Sequence, residues 1–104
     1  MAWVYLLLAG VLEIIWAFSM KQSAGFTKIT PSIITLVGMI LSFWFLSISM
    51  KTLPLGTAYT IWTGIGAVGA FIVGILVLGE PAHTIRIVAA LLIVLGLILL
   101  KLSS

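Results

Sequence analysis

The sequence holds no cysteine, one histidine and only two acidic residues in 104 positions. Without cysteine there is no disulfide framework and no thiol to serve as nucleophile or metal ligand. The two acids and the lone histidine are too few and too scattered to form a metal cluster, and no phosphate-cradling glycine loop or nucleophile–base pair stands out. Nothing here supports an enzyme, and no metal or other cofactor is expected. Charge of either sign is scarce as well. Only 7% of the residues are charged, against roughly 25% in a soluble domain, so the chain cannot cover a water-facing surface. A formal charge of +3, thinly spread, excludes a nucleic-acid partner.

What is present is apolar: 63% of the residues are hydrophobic. They fall into four runs near the ~20 residues needed to cross a ~30 Å hydrocarbon core. The expected fold class is an all-α integral membrane protein with four transmembrane helices, at residues 2–20, 31–50, 55–78 and 85–102, forming one domain over residues 1–104. The first run has no basic stretch before it, since Met1-Ala2 leads straight into Trp3. It also exceeds the ~7–15 residues of a signal core, so it is expected to stay in the membrane rather than be cleaved. Lys21-Gln22-Ser23 closes the first helix and Gly25 supplies a turn. Thr30 is placed to cap the second helix, with Pro31 at its first position, where a missing N–H costs nothing. Lys51 and Pro54 mark the second connection, Gly79-Glu80-Pro81 breaks the third helix, and Thr84 is placed to cap the fourth. Connections of about 4 to 11 residues are short, so function must lie between the helices.

Orientation is nearly undetermined by charge. Lys21, Lys28 and Arg86 fall on one side, Lys51 and Lys101 on the other. The positive-inside rule needs an excess on one side, and there is hardly any. Either another factor sets one topology or the chain inserts both ways. The two halves of the chain show no repeat. Four helices are few for enclosing a pathway, and in many transporters the site lies between inverted repeats. An antiparallel homodimer would supply the missing inverted half.

Glu13 is the most informative residue, the one ionisable side chain well inside a helix. Counted from Ala2 it lies about 11 residues in, roughly 16 Å deep and near the bilayer middle. Acids at that depth are costly and mark ion paths or proton relays. The plain alternative is a protonated acid bonded to a neighbouring helix. No Lys, Arg or His lies deep enough to pair with it, so a proton or a mobile cation is left to hold its charge.

The candidate site is built around it. Gly10, Trp16 and Ala17 share its helix face. Ser42 is polar at mid-depth in the second helix, and Tyr59 and Trp62 share a face of the third. Their O–H and N–H groups need partners in lipid, and aromatic faces attract cations once water is excluded. Taken singly, Ser42 could bond back to its own helix, and Tyr59 could be an interfacial aromatic. Gly64, Gly66, Gly69 and Gly74 crowd the third helix. They allow either a bend for conformational change or ordinary close packing. Ala89 and Gly96, seven apart on one apolar face of the fourth helix, read as a dimer contact. Glu80 and His83 read as solvated loop residues.

With these residues in view, the chain resembles the small multidrug resistance family over its full length. The resemblance rests on Leu12-Glu13, on Met20-Lys21 followed by Gly25-Phe26-Thr27, on Thr30-Pro31-Ser32, and on Pro54-Leu55-Gly56-Thr57-Ala58-Tyr59 leading to Trp62. Glu13-Ile14-Ile15-Trp16-Ala17 and Trp62-Thr63-Gly64-Ile65-Gly66-Ala67-Val68-Gly69-Ala70 are similar to its guanidinium-exporter branch. The polydrug branch typically has glycine in place of Trp16. The resemblance implies a multi-pass protein of the bacterial inner membrane, forming an antiparallel, dual-topology homodimer. It implies exchange of protons against guanidinium ion at two Glu13 carboxylates, with Trp16, Ser42, Tyr59 and Trp62 around them. The fourth helix is the family's dimer contact, where Ala89 replaces a glycine common in the polydrug branch. Guanidinium is a planar hydrogen-bond donor that a carboxylate accepts bidentately. A bulky quaternary ammonium ion has no such donors and needs volume, which Trp16 removes. Broad export of quaternary ammonium cations by the same fold is the alternative. A channel or a non-transporting scaffold is the rival from another class.

Overall fold

The computed structural model describes residues 1–103. Four helices follow in chain order: α1 (Ala2–Gln22), α2 (Ile29–Ser49), α3 (Leu55–Leu76) and α4 (Thr84–Leu102). In hydrocarbon every backbone N–H and C=O must be satisfied within its own segment, and a helix does this for a single apolar run. At ~1.5 Å per residue, the 21 residues of α1 span ~30 Å. All four helices are long and apolar enough to cross a membrane. The chain is a multi-pass, all-α membrane protein.

α1 packs against both α2 and α3, and α3 in turn carries α4; α2 meets α3 only lightly. Among the described residues, the backbone of α4 approaches no other helix than α3. The assembly is a slab of 40 × 34 × 16 Å. Helices pack ~8–10 Å apart, so the short axis holds at most two of them in depth and no wide passage is enclosed. The core is small: Leu6, Ala9, Leu46, Ala58, Ile61 and Trp62, drawn from α1, α2 and α3. No residue of α4 is buried.

The connections differ from expectation in detail. Thr30 does not cap α2. That helix begins at Ile29 with Lys28 as an extended N-cap, which puts Thr30 and Pro31 at its second and third positions. Pro31 still costs no bond there, because the first four N–H groups of a helix have no internal partner. Thr84 is likewise the first helical residue of α4, and His83 precedes it without a side-chain cap. The early start of α2 follows from a compact first connection. Ala24, Gly25 and Phe26 all have positive φ (50°, 76° and 64°), so Gly25 is not the sole turn residue. Such backbone costs ~1–2 kcal/mol at a residue with a side chain. Ser23 holds it: its hydroxyl donates to the Met20 carbonyl at 2.6 Å and accepts the Phe26 N–H at 3.0 Å. At the far end α3 stops at Leu76. Gly79 turns with φ 70°, and the Glu80 N–H returns to the Gly74 carbonyl at 3.0 Å.

Candidate functional site

Glu13 lies where α1 crosses α3. Its carboxyl group occupies the space that a side chain at Gly66 would fill: a Cβ there would overlap Glu13 Oε1. The same face of α3 carries Gly69, opposite Ile14. Gly10 of α1 reverses the arrangement, meeting the Ile65 side chain, with a Cβ position 2.6 Å from its Cγ2. These three glycines bring α1 and α3 close enough to bury Oε1 of the acid. Gly64 points another way and receives Leu97 of α4. The glycine-rich stretch therefore serves two separate contacts.

Two polar atoms remain buried with no hydrogen-bond partner among the described residues: Glu13 Oε1 and Trp16 Nε1. One is an acceptor and the other a donor, one turn apart on α1. Leaving such groups unpaired costs about 1–3 kcal/mol each, more if charged. A cation rich in N–H groups, or a proton, would satisfy the first; an anionic or carbonyl oxygen would satisfy the second. The Trp16 side chain rests on Gly38 of α2, whose Cβ position is 2.9 Å from Trp16 Cβ.

Ser42 ties three helices together. Its hydroxyl donates to the Ala9 carbonyl of α1 at 2.6 Å and accepts the Trp62 indole N–H of α3 at 3.0 Å. It does not bond back to α2. The Trp62 donor is therefore engaged by Ser42 rather than by a carboxylate. Aromatic rings continue the line. Trp16 meets Phe43 edge-on at 6.3 Å, Phe43 meets Trp62 at 5.7 Å, and Tyr59 lies tilted against Trp62 at 5.5 Å. Tyr59 is half exposed at 52%. Glu13, Trp16, Ser42, Tyr59 and Trp62 thus share one three-helix layer. Ala89 and Gly96 are exposed on α4; Gly96 lines a groove between α3 and α4 that Tyr59 also lines, Ala89 lines one with Ala67 and Phe71, and nothing stands within 4 Å of a Cβ built on Gly96.

Sequence reasoning missed Phe43, Gly38 and the Ala9 carbonyl. For Gly38 a signal exists. Thr35, Gly38, Ser42, Leu46 and Ser49 are the buried residues of α2, and their three- and four-residue spacing draws a mostly small stripe along an otherwise bulky helix. Phe43 and the carbonyl carry no such mark. Glu80 keeps 41% of its side chain exposed and also pairs with Arg86 at 3.8 Å, and His83 is an exposed loop residue.

The chain matches, over residues 1–102, the family described as Small Multidrug Resistance protein. It belongs to that family. Guanidinium exporters of Citrobacter freundii and Salmonella typhimurium are each 58% identical to it over 104 residues, covering 100% of this chain and 99% of theirs. The guanidinium exporter of Escherichia coli (strain K12) is 54% identical with the same coverage. For this small multidrug resistance protein the slab-like protomer takes on meaning. Its one mid-helix acid, with a buried Oε1, and its Trp16–Phe43–Trp62–Tyr59 rings belong to the layer α1–α2–α3, and its fourth helix packs on α3 alone.

Proposed function

We propose that the protein exports guanidinium ion in exchange for protons, by alternating access, from the bacterial inner membrane. The observation that carries the reading is the unpartnered Glu13 carboxyl beside Gly66, in a chain whose full-length relatives are guanidinium exporters. Guanidinium is a planar fork of N–H donors, and a carboxylate receives it through two parallel bonds. Trp16, Phe43, Trp62 and Tyr59 give the cation ring faces in a site shielded from water. The Ser42 bonds hold Trp62 in place, so the lining is preorganised.

The working unit is an antiparallel homodimer. Support comes from the near balance of positive charge on the two sides, from a slab too thin to enclose a path, and from an α4 on which no residue, Ala89 and Gly96 included, is buried. Two protomers would bring two Glu13 side chains to one site. Proton and guanidinium then compete for the same carboxylates. Deprotonation admits the cation, and protons arriving from outside displace it. The empty anionic form crosses poorly, because uncompensated charge in low dielectric is costly. Exchange of the two inequivalent protomer conformations turns the site from one side to the other.

The test is guanidinium-evoked current in proteoliposomes, wild type beside Glu13→Gln, over a range of pH. The expected result is a pH-dependent current in wild type and none in the variant. Proton-driven guanidinium flux retained by folded Glu13→Gln would sink the mechanism. A response to a bulky quaternary ammonium ion with none to guanidinium would favour the polydrug alternative.

A further inference from the structure

The turn between α3 and α4 holds the chain's own guanidinium group. Arg86, the only arginine in the sequence, brings Nη2 to 3.8 Å from Glu80 Oε1. Its Nη1 donates to the Pro81 carbonyl at 2.8 Å, and its guanidinium carbon lies 5.3 Å from the Phe71 ring centroid. A carboxylate, a carbonyl and an aromatic face are the partners a planar N–H fork takes. The carboxyl is seated rather than loose. It fills the space left by the missing side chain of Gly74, and the Glu80 N–H bonds the Gly74 carbonyl at 3.0 Å.

Glu80 and Phe71 also line a cavity of about 310 Å³ between α1 and α3. Its inner wall includes Ala17, Ala67 and Ala70. Ala17 is one turn beyond Glu13 on α1, and Ala67 adjoins Gly66, against which the Glu13 carboxyl rests. The passage lined by these residues, with Phe18, Val73 and Leu78 also on its wall, reaches from Glu80 to Ala17, one turn from Glu13. Arg86 reaches Phe71 from outside it, lining a neighbouring cavity with Ala67 and Ala89. Lys21 stands on the passage wall and disfavours a cation lingering there.

We propose that Glu80, the Pro81 carbonyl and the Phe71 ring form an outer station for guanidinium-type cations, held at rest by Arg86 and entered by displacing it. From there the cation moves along the passage to Glu13. The inference rests on the reading of the chain as a guanidinium transporter. The side chains of Arg86 and Glu80 are 38% and 41% exposed, so their pair is weak and screened, which suits exchange. Displacement conserves charge: one guanidinium replaces another on the same carboxylate, and Arg86 turns to solvent.

A single arginine makes the exchange directly visible. In Glu13→Gln protein, which lacks the central carboxylate, the Arg86 Nε–Hε NMR signal is followed during titration with guanidinium chloride, and with sodium chloride at equal ionic strength. A saturable shift with guanidinium alone, abolished by adding Glu80→Gln, is the expected result. An equal response to both salts, or one that survives without Glu80, overturns the station. Transport gives a second readout. Glu80→Gln alone raises the guanidinium concentration for half-maximal current roughly two- to fivefold, the scale of a half-exposed ion pair. Arg86→Gln lowers it by removing the internal competitor, and Gly74→Ala raises it by displacing the carboxyl group. An unchanged half-saturation in folded Glu80→Gln and Gly74→Ala proteins counts against the proposal. If the wild-type chain gives no guanidinium current, the transport reading has failed, and the titration alone decides the station.

Discussion

The layer formed by α1, α2 and α3 and the separate helix α4 are each apolar enough to cross a membrane, α4 the most so, but they are built in opposite ways. Within the layer, four glycines and one serine interlock the helices. Gly10, Gly38, Gly66 and Gly69 each leave room for a side chain of the opposing helix, and Ser42 bonds to both of its neighbours. On α4 no residue is buried, and one close fit, Leu97 against Gly64, seats it on α3. Between helices in a membrane there is little hydrophobic driving force, so close packing and interhelical hydrogen bonds must hold them. The layer has these and α4 has few. The difference teaches that the layer holds its acid and its line of aromatics by close helix contact, whereas α4 is seated on α3 with all of its residues at least partly exposed, the face the proposed dimer would use.

Four experiments bear on that contrast. The largest effect is expected from Gly66→Ala, which would push a methyl group into the Glu13 carboxyl. Guanidinium affinity, measured by calorimetry on folded protein, should fall about 10-fold or more, the worth of one hydrogen bond to a charged group. Unaltered affinity would mean that the close fit of α1 on α3 does not position the acid. Next is pH. If proton and cation compete for the Glu13 carboxylate, as proposed, protonation removes the site and affinity drops as pH falls, by at most ~10-fold per unit for each proton displaced. A flat profile from pH 5 to 9 would separate binding from Glu13.

Ser42→Ala tests the seam itself. It strips the acceptor from the buried Trp62 N–H, and thermal unfolding should show a loss of about 1–3 kcal/mol. No change would imply that the seam is held by packing alone. The smallest effect on the protomer is expected from Gly96→Leu. The site is open to solvent or lipid, so the protomer's helical content and stability should hold to within about 0.5 kcal/mol. The fraction of cross-linked dimer in liposomes should nevertheless fall. A dimer yield equal to wild type would take this face of α4 out of the contact and weaken the comparison.

Much of the site was legible because it lies in single helices. Glu13 stands out as the only ionisable group in mid-span, and its depth follows from counting. Trp16 and the Tyr59–Trp62 pair follow from helical spacing on their own segments. The partner of the Trp62 N–H was not legible. Whether it meets a carboxylate or Ser42 depends on how α2 and α3 are rotated about their axes, which periodicity within one apolar run does not specify. Phe43 was missed for the same reason, since a phenylalanine in a lipid-facing run looks like any other. Glu80 was legible in part. Loop position and charge describe its exposure, but not that the missing side chain at Gly74 and the return of the chain after Gly79 bring its carboxyl against α3.

The amino-acid sequence determined the solvent in which this protein folds, the number of times it crosses that solvent, and the place of its one acid in the middle of a helix. These depend on composition and on position along a single helix. The tertiary structure decided which glycine houses the Glu13 carboxyl, which hydroxyl receives the Trp62 indole, which guanidinium occupies Glu80, and which helix is left uncovered. Each of these is a match in rotation and height between two separate segments, and only their packing sets it.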